Sequence, residues 1–291
     1  MSGAAQLRSG KGHRDENFPV ASWLIAAHHR PAILAFYEFV RVADDIADHA
    51  ALPAEEKIAR LDALEASLLG RDDGEPQGVA LRAVLAERAL SPQHAQDLLS
   101  AFRQDATKRR YANWDELIDY CARSAMPVGR FVLDVHGEPH ATWPASDALC
   151  AGLQIINHVQ DCGADYRNLD RVYIPLDLLA MHGAGVDMLG ESRAPPPLQY
   201  CLREVVARTA GLLKQSRGFS DSIHDTRLAL EVAVIHRLAE RLIAILHSRD
   251  PLSQPVHLSK PASLALGAGT VARGLLRRLL RSAPAERYQT P

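Results

Sequence analysis

The sequence predicts an all-α protein, a single bundle of about ten helices, and three observations carry that expectation. Apolar residues recur at helical spacing along most of the chain. Strand-like alternation and Asn-Gly hairpin signals are nearly absent. No shift in composition and no repeat of solenoid period divides the chain.

The elements follow in order. Residues 1–14 are rich in Gly, Ser and Lys without an apolar core, and read as a flexible leader rather than a signal peptide. Pro31 suits the first turn of a helix that runs through Ile33, Phe36, Tyr37 and Val40 toward Asp48. Residues 72–76 form a short polar loop. Ser91-Pro92 opens another helix. Asn113-x-x-Glu116 has the form of a capping box ahead of Leu117, Tyr120 and Cys121. Pro127 is expected to kink a helix, and Gly129 to leave room for a ligand. A long helix is expected over 146–166, with Leu149, Leu153, Ile156 and Val159 on related faces. Residues 190–197, with three consecutive prolines, are the strongest break. Later helices are expected over 202–215 and 226–246, followed by a basic amphipathic segment over 272–281.

Composition narrows the function. A chain of 291 residues can enclose a cavity, and 47% hydrophobic with 23% charged residues is ordinary for a soluble globular protein. A formal net charge of −2 provides no global basic field for nucleic acid. Four cysteines, Cys121, Cys150, Cys162 and Cys201, contain no C-x-x-C pair, so buried thiols are expected rather than zinc or a disulfide framework. No apolar run reaches the roughly eighteen residues that a membrane span needs. A reducing cytoplasm fits these features.

Two acidic constellations carry the chemistry. In Arg41-Val42-Ala43-Asp44-Asp45-Ile46-Ala47-Asp48, helical geometry places Asp44 and Asp48 on one face, about 6 Å apart along the axis. In Asn157-His158-Val159-Gln160-Asp161-Cys162-Gly163-Ala164-Asp165, residues 157, 161 and 165 share one stripe. Like charges so placed repel unless water or cations compensate, and oxygen-rich sites of this kind suit Mg²⁺. A solvated acidic helix end is the competing reading. Each stripe, however, emerges from an apolar stretch, which favours a facing pair that holds several Mg²⁺ ions on a diphosphate. Arg41 and Arg171 can grip phosphate oxygens with their forks. The alternative is ion pairing with nearby aspartates, and for Arg171 alone that is the preferred reading.

These residues resemble a known family. Asp44-Asp45-x-x-Asp48, Asn157-x-x-x-Asp161-x-x-x-Asp165, Tyr120-Cys121 followed by Val128-Gly129, and Arg171-Val172-Tyr173-Ile174-Pro175 are similar to the motifs of the squalene/phytoene synthases. The likeness runs over about residues 16–246. Within the family, Glu16-Asn17-Phe18-Pro19-Val20-Ala21-Ser22, Ser124-Ala125-Met126-Pro127-Val128-Gly129-Arg130 and the 157–162 stretch resemble the hydroxysqualene synthases of bacterial hopanoid pathways. Gln160-Asp161 stands where phytoene synthases usually show Arg-Asp, and Met126-Pro127 where they tend to have Ala-Gly. These departures argue against plain phytoene or dehydrosqualene synthesis.

The resemblance implies a class I isoprenoid synthase helical bundle with a central cavity. Its catalytic domain is expected over 15–258, with the basic segment over 259–291. It implies an enzyme that converts presqualene diphosphate and water to hydroxysqualene and diphosphate, with several Mg²⁺ ions and without NADPH. Asp44, Asp45, Asp48, Asn157, Asp161 and Asp165 are the implied metal ligands, with Asp45 the least secure. Asp44, Asp48, Asp161 and Asp165 are the implied catalytic residues. Tyr37, Arg41, Gln154, Arg171 and Tyr173 are candidates for diphosphate contacts, and Phe18, Gly129, Val132, Leu133, Leu153 and Ile156 for the cavity wall. A presqualene diphosphate synthase and a hydroxysqualene reductase are the expected functional associates. The basic segment either rests on the anionic inner membrane face or packs on the bundle with its arginines in water. Competing functions are head-to-head synthesis of squalene, dehydrosqualene or phytoene, and a non-catalytic assembly role of the kind attributed to relatives that lost the aspartates. Intact aspartates argue against the latter. A di-iron bundle is set aside because no Glu-x-x-His pair exists.

Overall fold

The computed structural model describes residues 24–282, with side chains through residue 278. The leader over 1–14, the 16–22 motif and Phe18 lie outside the described residues. Within them the chain folds into twelve α-helices: α1 (Arg30–Asp48), α2 (Ala54–Leu68), α3 (Pro76–Glu87), α4 (Gln93–Thr107), α5 (Trp114–Ser124), α6 (Met126–Val135), α7 (Trp143–Leu169), α8 (Leu176–Met181), α9 (Pro196–Gln215), α10 (Phe219–Ser222), α11 (Thr226–Ser248) and α12 (Lys260–Ser282). Among the described residues there is no strand, only an isolated parallel bridge between Arg110 and Val172.

Local chemistry sets the helix ends. Pro31 occupies the first turn of α1. Asn113 Oδ1 accepts from Glu116 N at 2.9 Å, half of the expected capping box. The Glu116 carboxylate reaches back one residue further than the motif requires and accepts from Ala112 N. Asp225 caps α11 by accepting from Leu228 N at 2.7 Å.

Prolines start helices here more than they bend them. Pro127 does not kink a helix: α5 ends at Ser124, and Pro127 sits in the first turn of α6. A proline there lacks only an N–H that the helix would not use. Pro196 and Pro197 likewise begin α9, so the break over 190–197 ends within that triplet. Gly129 also serves helix packing. A Cβ on it would stand 2.4 Å from Ser146 Oγ and 2.6 Å from Cys150 Sγ. The space is filled by α7, and the glycine serves the close approach of α6 to α7.

Two hydrophobic clusters organise the bundle. One joins α1–α4 through Phe36, Phe39, Ile46, Leu61, Leu64, Leu81 and Leu99, and takes Phe131 from α6. Phe36 and Phe131 stack at 3.9 Å. The other surrounds α7, with Ile155, Ile156 and Val159 packed among residues of α5, α8, α9 and α11. The two acidic stripes therefore ride on different clusters, α1 on the first and α7 on the second. All four cysteines are free, and burial pushes the Cys121 thiol up to about 12, as expected of inert thiols.

The terminal helix α12 packs on α11. A Cβ on Gly274 would meet Leu230 Cδ2 at 2.6 Å. Arg278 donates to Ile223 O at 2.7 Å and to Thr226 Oγ1 at 2.9 Å. Among the described residues no helix is long and apolar enough to cross a membrane.

Candidate active site

The C-terminal portions of α1 and α7 face a cleft of about 390 Å³. α1 supplies Tyr37, Arg41, Asp44 and Asp48, and α7 supplies Gln154, Asn157, Asp161 and Asp165. Arg171 and Tyr173 close it. Every expected diphosphate contact and five of the six expected metal ligands thus border one space. Asp45 does not. It is 7% exposed and accepts from Arg41 Nη2 at 2.8 Å, while Arg41 Nη1 donates to Asp44 Oδ2 at 2.9 Å.

Backbone pairing holds the Arg171 segment in place. Val172 N donates to Arg109 O at 2.9 Å and Leu176 N to Tyr111 O at 3.0 Å. Arg171, 4% exposed, then pairs with Asp48 Oδ1 at 2.5 Å and donates to Ala47 O at 3.0 Å. Ion pairing, the reading preferred for Arg171, is what the geometry shows. Lys57 Nζ donates to the same Ala47 carbonyl at 2.7 Å. Two cations thus sit on the carbonyl end of α1, where the helix dipole favours positive charge.

The charge balance explains what the cleft can bind. The Asp44 carboxyl is pushed up to about 7 by desolvation and then by the Asp48 charge, against the pull of Arg41. Asp165 is also pushed up to about 7, by burial first and then by Asp161 and Asp48. Asp48 of α1 acting on Asp165 of α7 means that the stripes sense each other electrostatically. Among the described residues no three His, Cys, Asp or Glu side chains converge into a ready cage. A hard divalent ion that keeps waters and takes phosphate oxygens fits such a donor set, because it needs only one or two carboxylates per ion.

The raised carboxyls have a pH consequence. Their folded-state values exceed those of the unfolded chain, so the ligand-free protein loses stability as pH rises from about 4 through about 7. A divalent ion binds the deprotonated form. Mg²⁺ is therefore expected to raise Tm more at pH 8 than at pH 5.5, measured by calorimetry. Equal increments at both values would remove these carboxyls from the ion's surroundings.

Several groups in the cleft were not marked by the sequence reading. Asp105 of α4 accepts from Tyr120 OH at 2.7 Å and from Tyr173 OH at 3.2 Å. Burial pushes it up to about 6, although Arg171 and the Tyr120 hydrogen bond oppose the shift. Tyr173 stacks on His158 at 3.6 Å, and burial with the Arg171 charge holds His158 down at about 3, so it is neutral. The Tyr173 hydroxyl, expected on diphosphate, is engaged by Asp105 instead. Gln160 turns away from the cleft and donates to Val256 O.

Beside the cleft lies an apolar chamber of about 260 Å³. Tyr37, Val40 and Val128 line both spaces. Of the cavity candidates, Gly129, Val132, Leu133 and Leu153 border the chamber. Ile156 does not: it is 1% exposed and belongs to the second cluster, on a face of α7 covered by other helices.

Known proteins resemble this chain over most of its length. A hydroxysqualene synthase of Rhodopseudomonas palustris is 56% identical over 98% of this chain and 97% of its own length. A second, from Zymomonas mobilis, is 51% identical over 90% of this chain and 89% of its own. The solved structure of squalene synthase HpnC from Alicyclobacillus acidocaldarius superposes with a TM-score of 0.70 at 32% identity, covering 83% of this chain and 90% of that one. The family described as squalene/phytoene synthase matches residues 12–262, and the chain belongs to it.

Proposed function

We propose that this enzyme ionises presqualene diphosphate and captures the resulting cation with water, releasing hydroxysqualene and diphosphate in hopanoid biosynthesis. The observation that carries the proposal is the junction of a carboxylate-bearing cleft with an apolar chamber, the polarity pairing that suits a charged head and a greasy tail. The hydroxysqualene synthases at 51–56% identity support it.

The residue roles follow from position. Asp44, Asp48, Asn157, Asp161 and Asp165 would hold Mg²⁺, and Asp45 holds Arg41 in place rather than binding metal. When bound, Mg²⁺ supplies Lewis-acid stabilisation of the charge that develops on diphosphate. Arg41, Tyr37 and Gln154 orient the diphosphate oxygens, Arg171 holds Asp48 through its ion pair, and Tyr173 braces the wall through Asp105. The carbon–oxygen bond breaks with its electron pair leaving on diphosphate. The apolar chamber holds the prenyl chains and keeps bulk water from the cation. Water then forms the new carbon–oxygen bond and loses a proton. No hydride is transferred, so NADPH has no part, and the enzyme is a carbon–oxygen lyase. Its catalytic unit spans 15–258, with 259–291 as an added basic segment. A condensing enzyme supplies the substrate and a hydroxysqualene reductase consumes the product.

We assign the protein to the cytoplasm, with α12 lying on the inner membrane face. α12 contains no acidic residue. Its outer side exposes Leu264 (74%), Leu275 and Leu276 (58%) beside Arg273 and Arg277. An anionic lipid surface suits both features. Sedimentation with phosphatidylglycerol vesicles is expected, and Leu264→Glu with Leu276→Glu should weaken it at least about tenfold. Equal recovery with neutral and anionic vesicles would remove the membrane from the account.

The deciding assay supplies presqualene diphosphate and Mg²⁺ without NADPH and analyses the hexane extract by mass spectrometry. Hydroxysqualene that disappears on adding EDTA supports the proposal. A C30 or C40 polyene from farnesyl or geranylgeranyl diphosphate, without turnover of presqualene diphosphate, would move the function to the synthase branch.

A further inference from the structure

The chamber wall contains a carboxyl where helical patterning calls for an apolar side chain. Leu228, Glu231, Val232 and Ile235 of α11 all border the chamber. Their i, i+3, i+4, i+7 spacing is the buried stripe of an amphipathic helix. Glu231 is the exception in that stripe, and at 3% exposure it is as buried as its apolar neighbours. It is the one carboxyl among the described residues that line the chamber. It does not border the acidic cleft, so it takes no part in holding diphosphate.

We infer that Glu231 positions the water that ends the reaction and accepts its proton. The inference rests on the hydroxysqualene reading given above. That reading requires a single water inside a space that excludes water elsewhere. Glu231 is the carboxyl on that wall, and of the groups bordering the chamber it is the one that can both hold a water and take its proton as a carboxylate. A water donating one hydrogen bond to Glu231 directs a lone pair into the chamber. The lone pair forms the carbon–oxygen bond at the cation, the O–H bond to the donated proton breaks, and the carboxylate takes that proton. The alcohol leaves, and Glu231 returns the proton to solvent. Remote placement from the cleft keeps this water away from the diphosphate oxygens during ionisation.

The test is the partition of products in Glu231→Gln and Glu231→Asp of the full chain, given presqualene diphosphate and Mg²⁺. Glutamine preserves shape and hydrogen bonding but accepts no proton. Hydroxysqualene formed per diphosphate released is expected to fall about tenfold or more in Glu231→Gln. Dehydrated or rearranged products should make up the difference, with part of the alcohol restored in Glu231→Asp. A structural role would lower diphosphate release and alcohol together and leave their ratio at the wild-type value. That result, or an unchanged ratio at normal rate, would overturn the inference. If Glu231→Gln does not fold, the ratio in Glu231→Asp decides, since its shortened carboxyl moves the water. Failure of the wild type itself to make hydroxysqualene would instead sink the functional reading, so the two failures are separable.

Discussion

Asp161→Asn is expected to reduce turnover by about two to three orders of magnitude while the helical fold persists. Asparagine keeps the volume and one oxygen but removes the charge that binds a divalent ion. The same charge helps push Asp165 upward, so removing it should let Asp165 ionise more easily. The ligand-free variant should then melt at or above the wild-type temperature, because repulsion in the cleft falls. Steady-state assays with circular dichroism and melting curves test all three parts. Near-normal turnover would reduce both acidic stripes to solvated surface. Asp48→Asn should lose activity similarly but gain no stability, because Asp48 also partners Arg171.

Arg171→Ala is expected to have the largest effect on stability, a loss of about 3 kcal/mol. Arg171 is almost completely buried and spends its guanidinium on Asp48 and on the Ala47 carbonyl. Its charge also opposes the upward shifts of Asp105 and Asp165. Truncation would leave Ala47 to Lys57 alone and raise both carboxyls further. A fall in Tm of roughly 5–10 °C is expected, together with loss of turnover. Arg171→Lys should recover part of the stability, since an ammonium keeps the charge but cannot fork between two acceptors. A loss well under 1 kcal/mol would mean that the pair behaves as an exposed ion pair.

What the sequence made legible is what a single helix encodes. The spacing of Asp44 with Asp48, and of Asn157 with Asp161 and Asp165, fixes one face per helix, and both faces meet the cleft. The proline and asparagine signals located helix starts within a few residues. What stayed hidden depends on which neighbour covers a given face. Asp45 is one residue from Asp44 and therefore points about 100° away, into the protein. Asp105 and Glu231 have no acidic residue within one turn on their own helices, and they become site residues only because α4 and α11 pack where they do. Ile156 shares periodicity with Leu153, yet the second cluster covers it. The fork of Arg171 reaches across 123 positions of sequence to Asp48, a distance that no local pattern reports.

The threshold formed by Tyr37, Val40 and Val128 has a consequence for binding order. It is a polarity step inside the protein, with a cluster of carboxylates on one side and a largely apolar wall on the other. An amphiphile can cross such a step in only one orientation. Each methylene left on the charged side forfeits about 0.8 kcal/mol, and a diphosphate forced onto the hydrocarbon side would lose far more. Partitioning alone therefore aligns the molecule, before any directional hydrogen bond forms. Anionic surfactants with tails of suitable length should accordingly act as competitive blockers, even with no chemical likeness to the substrate beyond a head and a tail.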